Sequence, residues 1–293
     1  MLDMKIETFL EVVKTKSYTA TAAALHMTQP AVTQQIHKLE EYYNCQLIDS
    51  SHRSIHITKA GELLYSYLCL QQANEKQLAH LLNQTIDPLC MGASLSIADY
   101  YLPDIITELL LKEDERIRIV VENSSNLLDK LKHGDIDCAL IEGHFDASLF
   151  ETKIFCEEIF IPVVSSQHPF AHKEVDITML QEYPLVVREP QSGTREILEH
   201  WLLQQNLSPK VFRHLLEIGS FTLIKEVVKT SNAFTFAYEG VVRKELHNGS
   251  LCRLAIKDCQ ITHPFLFVYR KGDMKQTQLL ALFTTLFQQF GNI

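Results

Sequence analysis

No stretch of the sequence is apolar for the roughly 18 residues that a membrane-spanning helix needs. Its first residues, MLDMKIETFLEVVKTKS, alternate apolar positions with lysine and glutamate. They lack the unbroken apolar centre of a secretory signal, so the expectation is a cytoplasmic protein that starts near Met1. Cysteine occurs seven times, an odd number, with no C-x-x-C pair. That argues against a disulfide framework and a structural zinc site, and fits a reducing compartment. Also missing are a phosphate-binding glycine loop, a nucleophile–base arrangement and metal-ligand spacing, so no catalysis, cofactor or metal is expected. Low-complexity tracts and internal repeats are absent too, and a largely disordered, collagenous or low-complexity chain is excluded. Basic charge is not in surplus: 27 Lys and Arg stand against 36 Asp and Glu, a formal net charge of -9. Taken alone, that argues against non-specific nucleic-acid binding.

What is present is 293 residues with an ordinary globular composition, 46% hydrophobic and 22% charged. This suffices for two domains of about 100–200 residues. The charge is unevenly placed. Up to Ala60 six basic residues (Lys5, Lys14, Lys16, Lys38, Arg53, Lys59) balance six acids (Asp3, Glu7, Glu11, Glu40, Glu41, Asp49), so the whole acidic excess lies beyond.

The first segment has helical periodicity. Ile6, Phe9, Leu10 and Val13 fall on one face. Ser17 is placed to cap a short second helix, TATAAAL, and Thr28 a third, with Pro30 harmless in its first turn. In that third helix Val32, Ile36, Leu39 and Tyr43 share an inward face, whereas Pro30, Gln34, His37, Lys38 and Glu41 lie opposite, with Thr33 at the edge and Gln29 at the open end. Asn44 suits the left-handed end of a helix. Leu47-Ile48 and Ile55-His56-Ile57 flank the polar tip DSSHRS as a short hairpin. Thr58 then caps a long helix in which Leu64, Tyr67, Leu68, Leu78, Leu81 and Leu82 recur at helical spacing. Such a helix, with no core of its own to cover, is expected to pair with a second copy. Asp87-Pro88 marks a boundary.

From Leu89 strands alternate with helices: LCMGAS, IRIVVEN, DIDCALIEG, IFIPVVS, PLVVRE, FRHLLEI and AFTFA as strands; IADYYLPDIITELLLKE, SNLLDKLKHG capped by Ser125, TREILEHWLLQQ, FTLIKEVVK and QLLALFTTLFQQF as helices. This alternation predicts crossover helices on a mainly parallel sheet.

The ordered motif F9-L10-E11-V12-V13, S17-Y18-T19, A22-A23-A24-L25, T28-Q29-P30-A31-V32-T33-Q34-Q35-I36-H37-K38-L39-E40, L47, R53 and I57-T58-K59-A60-G61 resembles the winged helix-turn-helix domain of LysR-type transcriptional regulators. The remainder is similar to that family's effector domain at P103, D135-I136-D137-C138-A139-L140, P184-L185-V186, S192-G193-T194-R195 and K244-E245-L246 with G249 and L251. The chain departs from the family at Asn44, where glycine is usual, at Ser50, where arginine is usual, and at Ser231-Asn232-Ala233, where a glycine-rich turn is usual.

The resemblance implies an α/β multidomain fold. A winged helix-turn-helix domain would occupy residues 1–58 and a linker and dimerisation helix 59–88. A two-lobed, periplasmic-binding-protein-like effector domain would occupy 89–293, with lobe I about 89–162 and 265–293 and lobe II about 163–264. It implies a non-enzymatic, sequence-specific regulator of a double-stranded DNA operator, a homodimer or homotetramer free of the membrane, controlled by a small polar or anionic metabolite. The alternative is a solute-binding module without regulatory DNA binding, which would leave the cleft intact and show no specific operator.

At the DNA end, Gln29 and Gln34 suit bidentate contacts to adenine and Thr33 a thymine methyl or polar edge. Ser17 and Thr19 start the second helix and are placed for the DNA backbone, Thr28 suits a phosphate, Pro30 belongs with Gln29, Thr33 and Gln34 on the reading face, and Lys38, His52 and Arg53 are the cationic candidates. A charge-neutral domain holds few phosphates, so two or four copies are expected to bind together. At the effector end, Ser94-Leu95-Ser96, Ser192-Gly193-Thr194 and Gly219-Ser220 are helix starts offering N–H and hydroxyl donors to an anion. Glu142-Gly143 is expected at the rim, where Glu142 would suit the ammonium group of an amino-acid-like ligand instead. Cys252 and Cys259 are close in sequence, but no basic cluster or helix start beside them lowers a thiol pKa, so inert thiols are expected.

Overall fold

The computed structural model describes residues 3–49, 55–82, 88–109 and 116–290. The chain divides into two compact units, residues 1–85 with 132–134, and residues 86–131 with 135–293.

The N-terminal unit contains α1 (Met4–Thr15), α2 (Tyr18–Ala24), α3 (Gln29–Tyr43), the hairpin strands β1 (Ile48–Asp49) and β2 (His56–Ile57), and α4 (Lys59–Leu82). Each helix start is fixed by a side-chain oxygen accepting a backbone N–H: Asp3 from Lys5, Ser17 from Ala20, Thr28 from Ala31 and Thr58 from Gly61. Lys16 and Asn44 close α1 and α3 in the left-handed conformation, so the residue usual at position 44 in relatives is replaced without loss of the turn. Phe9, Val12, Val32, Ile36, Leu39, Leu47, Leu64 and Leu68 form the core. Each fully buried side chain of this size stabilises the fold by about 1.5–3 kcal/mol. Tyr43, expected inside, is 42% exposed and meets Tyr42 edge-on, because α3 ends at that residue. Gly61 is obligatory: a Cβ there would stand 2.2 Å from the Leu47 carbonyl oxygen.

The C-terminal unit runs β3 (Leu89–Ser94), α5 (Leu95–Tyr100), α6 (Leu102–Leu109), β4 (Ile117–Glu122), α7 (Ser124–His133), β5 (Cys138–Ile141), β6 (Phe150–Ser165), β7 (Glu174–Val175), β8 (Pro184–Val187), α8 (Gly193–Gln204), β9 (His214–Glu217), α9 (Phe221–Lys229), β10 (Phe234–Tyr238), α10 (Glu239–His247), β11 (Leu251–Arg253), β12 (Ala255–Ile256), β13 (Ile261–Arg270) and α11 (Gln276–Phe290). Its main sheet has the order β4-β3-β5-β13-β6-β10-β8-β9, with β11 also on β6.

The expectation of a mainly parallel sheet is corrected here. Within the main sheet, parallel pairing is confined to two outer triplets, β4-β3-β5 and β10-β8-β9. Between them β13 and β6 run antiparallel to their neighbours and to each other. The long pair β6 and β13 carries many solvent-exposed polar residues, such as Thr152, Lys153, Glu157 and Thr262, which broke the apolar runs used to recognise strands. Two further local expectations are also corrected. The helix read from IADYYLPDIITELLLKE breaks at Tyr101, with Pro103 in the first turn of the second piece. The cap of α7 is Asn123, whose Oδ1 accepts from the Asn126 N–H, rather than Ser125.

The two triplets, each backed by its helices, are the two lobes, and β6 and β13 cross between them. Four residues stand at the carboxyl ends of parallel strands: Ser94 ends β3, Glu142 follows β5, Arg188 follows β8 and Tyr238 ends β10. In open α/β sheets that edge is where ligands bind.

Candidate functional site

The first candidate surface is α3. Its inward side is closed, with Val32, Ile36 and Leu39 at 0%, 2% and 3% exposure. Thr28, Gln29, Pro30, Gln34, His37 and Lys38 are exposed and Thr33 half-exposed. Thr28, Gln29, Pro30, Thr33, Gln34 and His37 line one open hollow. Their chemistry is partly committed. The Thr33 hydroxyl donates to the Gln29 carbonyl at 3.1 Å. Thr28 and Ser17 accept the capping N–H groups of their own helices, and Thr19 is exposed in the first turn of α2. His37 lies 3.4 Å from Glu40. Glu40 in turn accepts from the Leu47 and Ile48 N–H groups at 2.8 and 3.2 Å, pinning the hairpin to α3. His52 and Arg53, expected at the hairpin tip, lie outside the described residues.

The second candidate site is at the carboxyl edge of the sheet. Glu142 is only 2% exposed. Its carboxylate accepts a short hydrogen bond from the Ser94 hydroxyl and one of 3.2 Å from Ser96, while its main-chain carbonyl accepts from the Ser124 hydroxyl at 2.8 Å. Burial raises the Glu142 carboxyl above the usual range, and the two serine hydroxyls together with the Arg188 charge offset this only in part. Ser192 and Thr194 are buried and hydrogen-bond each other at 2.9 Å. Gly143, at φ 106°, packs so close to Gly193 that a Cβ on it would stand 2.8 Å from the Gly193 Cα. The loops of the two lobes are therefore in backbone contact.

The expected residues Ser94, Ser96, Glu142, Gly143, Ser192, Gly193 and Thr194 thus cluster here, with half-buried Leu95 between the two serines. Glu142 is not a rim residue as expected, because two hydroxyls draw it inside. Ser220 does not join the cluster: it is exposed and accepts from the Leu223 N–H of its own helix. Beside it a Cβ on Gly219 would stand 3.6 Å from Glu189 Oε2, so a carboxylate rather than an anion site lies there.

Several members of this site escaped the sequence reading. Arg188 is 4% exposed, forks onto Glu189 through two bonds of 2.8 Å, and stacks 4.8 Å over Phe221. Tyr238 is fully buried between Phe160 and Phe265, with no hydrogen-bond partner for its hydroxyl among the described residues. Burial, and then the Glu142 charge, holds its phenol above the ordinary value. His144, next to Gly143, lies against two other imidazoles, tilted on His200 at 4.8 Å and edge-on to His263 at 5.2 Å between ring centroids. The usable signal for Arg188 and Tyr238 was their position at the ends of PLVV and AFTFA. Among the described residues no group of three or more His, Cys, Asp or Glu is arranged to hold a metal ion. Burial pushes the thiols up, Cys156 to about 12 and Cys259 to about 11, which leaves little thiolate for redox chemistry.

Comparison with known proteins places both units. Residues 4–62 match the family described as bacterial regulatory helix-turn-helix protein, lysR family, and residues 83–291 match the LysR substrate binding domain. The HTH-type transcriptional regulator CysL of Bacillus subtilis is 28% identical over 288 residues, covering 96% of this chain and 95% of the relative. A probable RuBisCO transcriptional regulator of Cyanophora paradoxa is 28% identical over 284 residues, covering 92% and 88%. Among solved structures, full-length LysG of Corynebacterium glutamicum with bound effector Arg superposes with a TM-score of 0.64 at 15% identity, covering 100% of this chain and 99% of that one.

Proposed function

This chain belongs to the LysR family of transcriptional regulators, which bind DNA and carry an effector-binding domain and are not enzymes, and we infer that it reads its operator with the exposed face of α3 and is switched by a small polar metabolite bound at Glu142 and its neighbours. The observation that carries the first half is the division of α3 into a sealed side, Val32, Ile36 and Leu39, and an open side bearing Gln29, Pro30, Thr33 and Gln34. Gln29 and Gln34 read base edges; Thr33 turns its methyl to a thymine; Ser17, Thr19, Thr28, Lys38 and the hairpin residues His52 and Arg53 hold the phosphates.

The functional layout follows as a winged helix-turn-helix at 1–58, a dimerisation helix at 59–88 and an effector domain at 89–293. In α4, Leu63, Tyr67, Leu78 and Leu82 recur on one stripe and are 71%, 53%, 45% and 74% exposed in the single chain. Large apolar side chains repeated along one stripe of a helix call for a partner, and a second α4 supplies a matching stripe. A dimer also answers the charge-neutral DNA-binding domain, since two weak grips joined together gain effective concentration. Among the described residues no helix is long and apolar enough to cross a membrane. Membership of a DNA-binding regulator family supports a cytoplasmic site of action.

The ligand shifts operator binding only as far as it binds two arrangements of the effector domain unequally. Selection of bound sites from a random DNA pool tests the whole reading. It is expected to recover two half-sites about one helical turn (~34 Å) or a multiple apart. Recovery of no consensus would leave a solute-binding module.

A further inference from the structure

Around Glu142 the hydroxyls of Ser94 and Ser96 and the guanidinium groups of Arg188 and Arg195 are engaged by the chain itself. Ser94 and Ser96 both direct their hydroxyls at Glu142. Arg188 is held fork-to-fork by Glu189, and Arg195 is paired with Glu199. Glu142 and half-buried Glu196 make no ion pair among the described residues. A free oxyanion entering this site would meet two engaged hydroxyls, two arginines paired with glutamates, and a buried carboxylate that those hydroxyls and Arg188 offset only in part. The fixed charge therefore has the wrong sign for it.

We propose that Glu142 is the counter-ion for a cationic group, so that the cleft ligand of this chain is a small amine or guanidine compound whose positive end docks on Glu142 between Ser94, Ser96 and Tyr238. The inference rests on the reading of this cleft as the effector site, and it decides between the two expected ligand classes, an anion and an amino-acid-like compound, for the one with a positive group. Three independent features meet here. The carboxylate is desolvated, so a cation is worth more against it than at a surface. Its acceptor lone pairs outnumber the two hydroxyl donors it receives, leaving capacity for N–H donors. The Tyr238 hydroxyl, buried without a partner and within the electrostatic reach of Glu142, supplies an acceptor or donor for the same ligand. Burial raises the Glu142 carboxyl, and the serine hydroxyls and Arg188 offset this only in part.

The test uses the full chain and measures thermal shift and calorimetric affinity against methylammonium, methylguanidinium, putrescine, L-lysine and L-arginine as chlorides. Sodium sulfate and sodium phosphate are the anion arm, each referenced to sodium chloride at equal ionic strength. At least one of the cations is expected to bind the wild type. Glu142→Gln, which keeps an acceptor for Ser94 at the same volume, is expected to weaken that binding about a hundredfold, the scale of removing one partner from a buried charge pair. Glu142→Asp keeps the charge and is expected to retain part of the affinity, which guards against a folding failure of the first variant. Binding of sulfate or phosphate to the wild type, absence of binding by every cation, or equal cation affinity in Glu142→Gln would each overturn the proposal. Operator binding is read separately. A cation that binds through Glu142 without altering operator affinity would sink the effector role and leave the site assignment standing.

Discussion

The Cα of Gly193 rests against the main-chain carbonyl oxygen of Glu142: a Cβ built on Gly193 would stand 2.2 Å from that oxygen and 2.7 Å from its carbon. Glu142 follows β5 in one lobe, and Gly193 opens α8 in the other. The approach of the lobes is thus set at a backbone-to-backbone contact that any side chain would wedge apart. Gly193→Ala is expected to leave α8 itself intact, since alanine favours a helix, but to hold the lobes open. The expected readouts are a loss of about 1–3 kcal/mol of stability, the scale of overpacking, and a ligand-induced thermal shift that shrinks or vanishes. An unchanged shift in Gly193→Ala would show that closure here plays no part in binding.

Glu142 also gives the apo protein a pH signature. Its folded carboxyl is raised above the ordinary value of 4.5, with burial the leading cause. Between the unfolded and folded values the native state holds the extra proton, so stability falls as pH rises through that window. Below the unfolded value the penalty is absent. Glu142→Gln does not titrate. Its stability relative to the wild type is therefore expected to grow as pH rises from about 4.5 and to level off once the wild-type carboxyl is fully ionised. Denaturant melts of both proteins across that range measure it. A stability difference that stays flat with pH would contradict the buried, undercompensated carboxylate.

The exposed stripe on α4 makes a separate prediction. Leu78→Glu places a charge in each copy of the paired helices where Leu78 and Leu82 now await cover. Losing one buried leucine per chain removes about 1.5–3 kcal/mol from each side of the interface, so the dimer dissociation constant is expected to rise about a hundredfold or more. Sedimentation at graded concentration reads this directly, and operator affinity should fall with it. A dimer of undiminished strength would move the interface elsewhere.

How much of this was legible beforehand depended on sequence distance. The caps Ser17, Thr28 and Thr58 and the buried face Val32, Ile36 and Leu39 involve neighbours within a turn or two, and spacing encodes them. The cap of α7 was misassigned because Asn123 and Ser125 offer similar chemistry two residues apart. The antiparallel centre of the sheet was missed because β6 and β13 alternate exposed polar with buried apolar residues over only part of their length. The pairing of Glu142 with Ser94 and Ser96 spans 48 and 46 residues, and no local pattern states which carboxylate meets which hydroxyl. Only the position of each residue at a strand's carboxyl end carried that information, and it named a region rather than a partner.

The central claim, that the open side of α3 reads DNA, is tested most directly by comparing Gln34→Ala with Lys38→Ala in quantitative binding to the selected operator and to single-base variants of it. Both residues are exposed and outside the core, so neither change is expected to disturb the fold. Gln34→Ala should abolish discrimination at one base position, worth about 1–3 kcal/mol, with little change in salt dependence. Lys38→Ala should weaken all sequences alike and reduce the salt slope by about 0.9 for each phosphate no longer neutralised. If both variants keep wild-type affinity, base preference and salt slope, the recognition face lies elsewhere on the molecule.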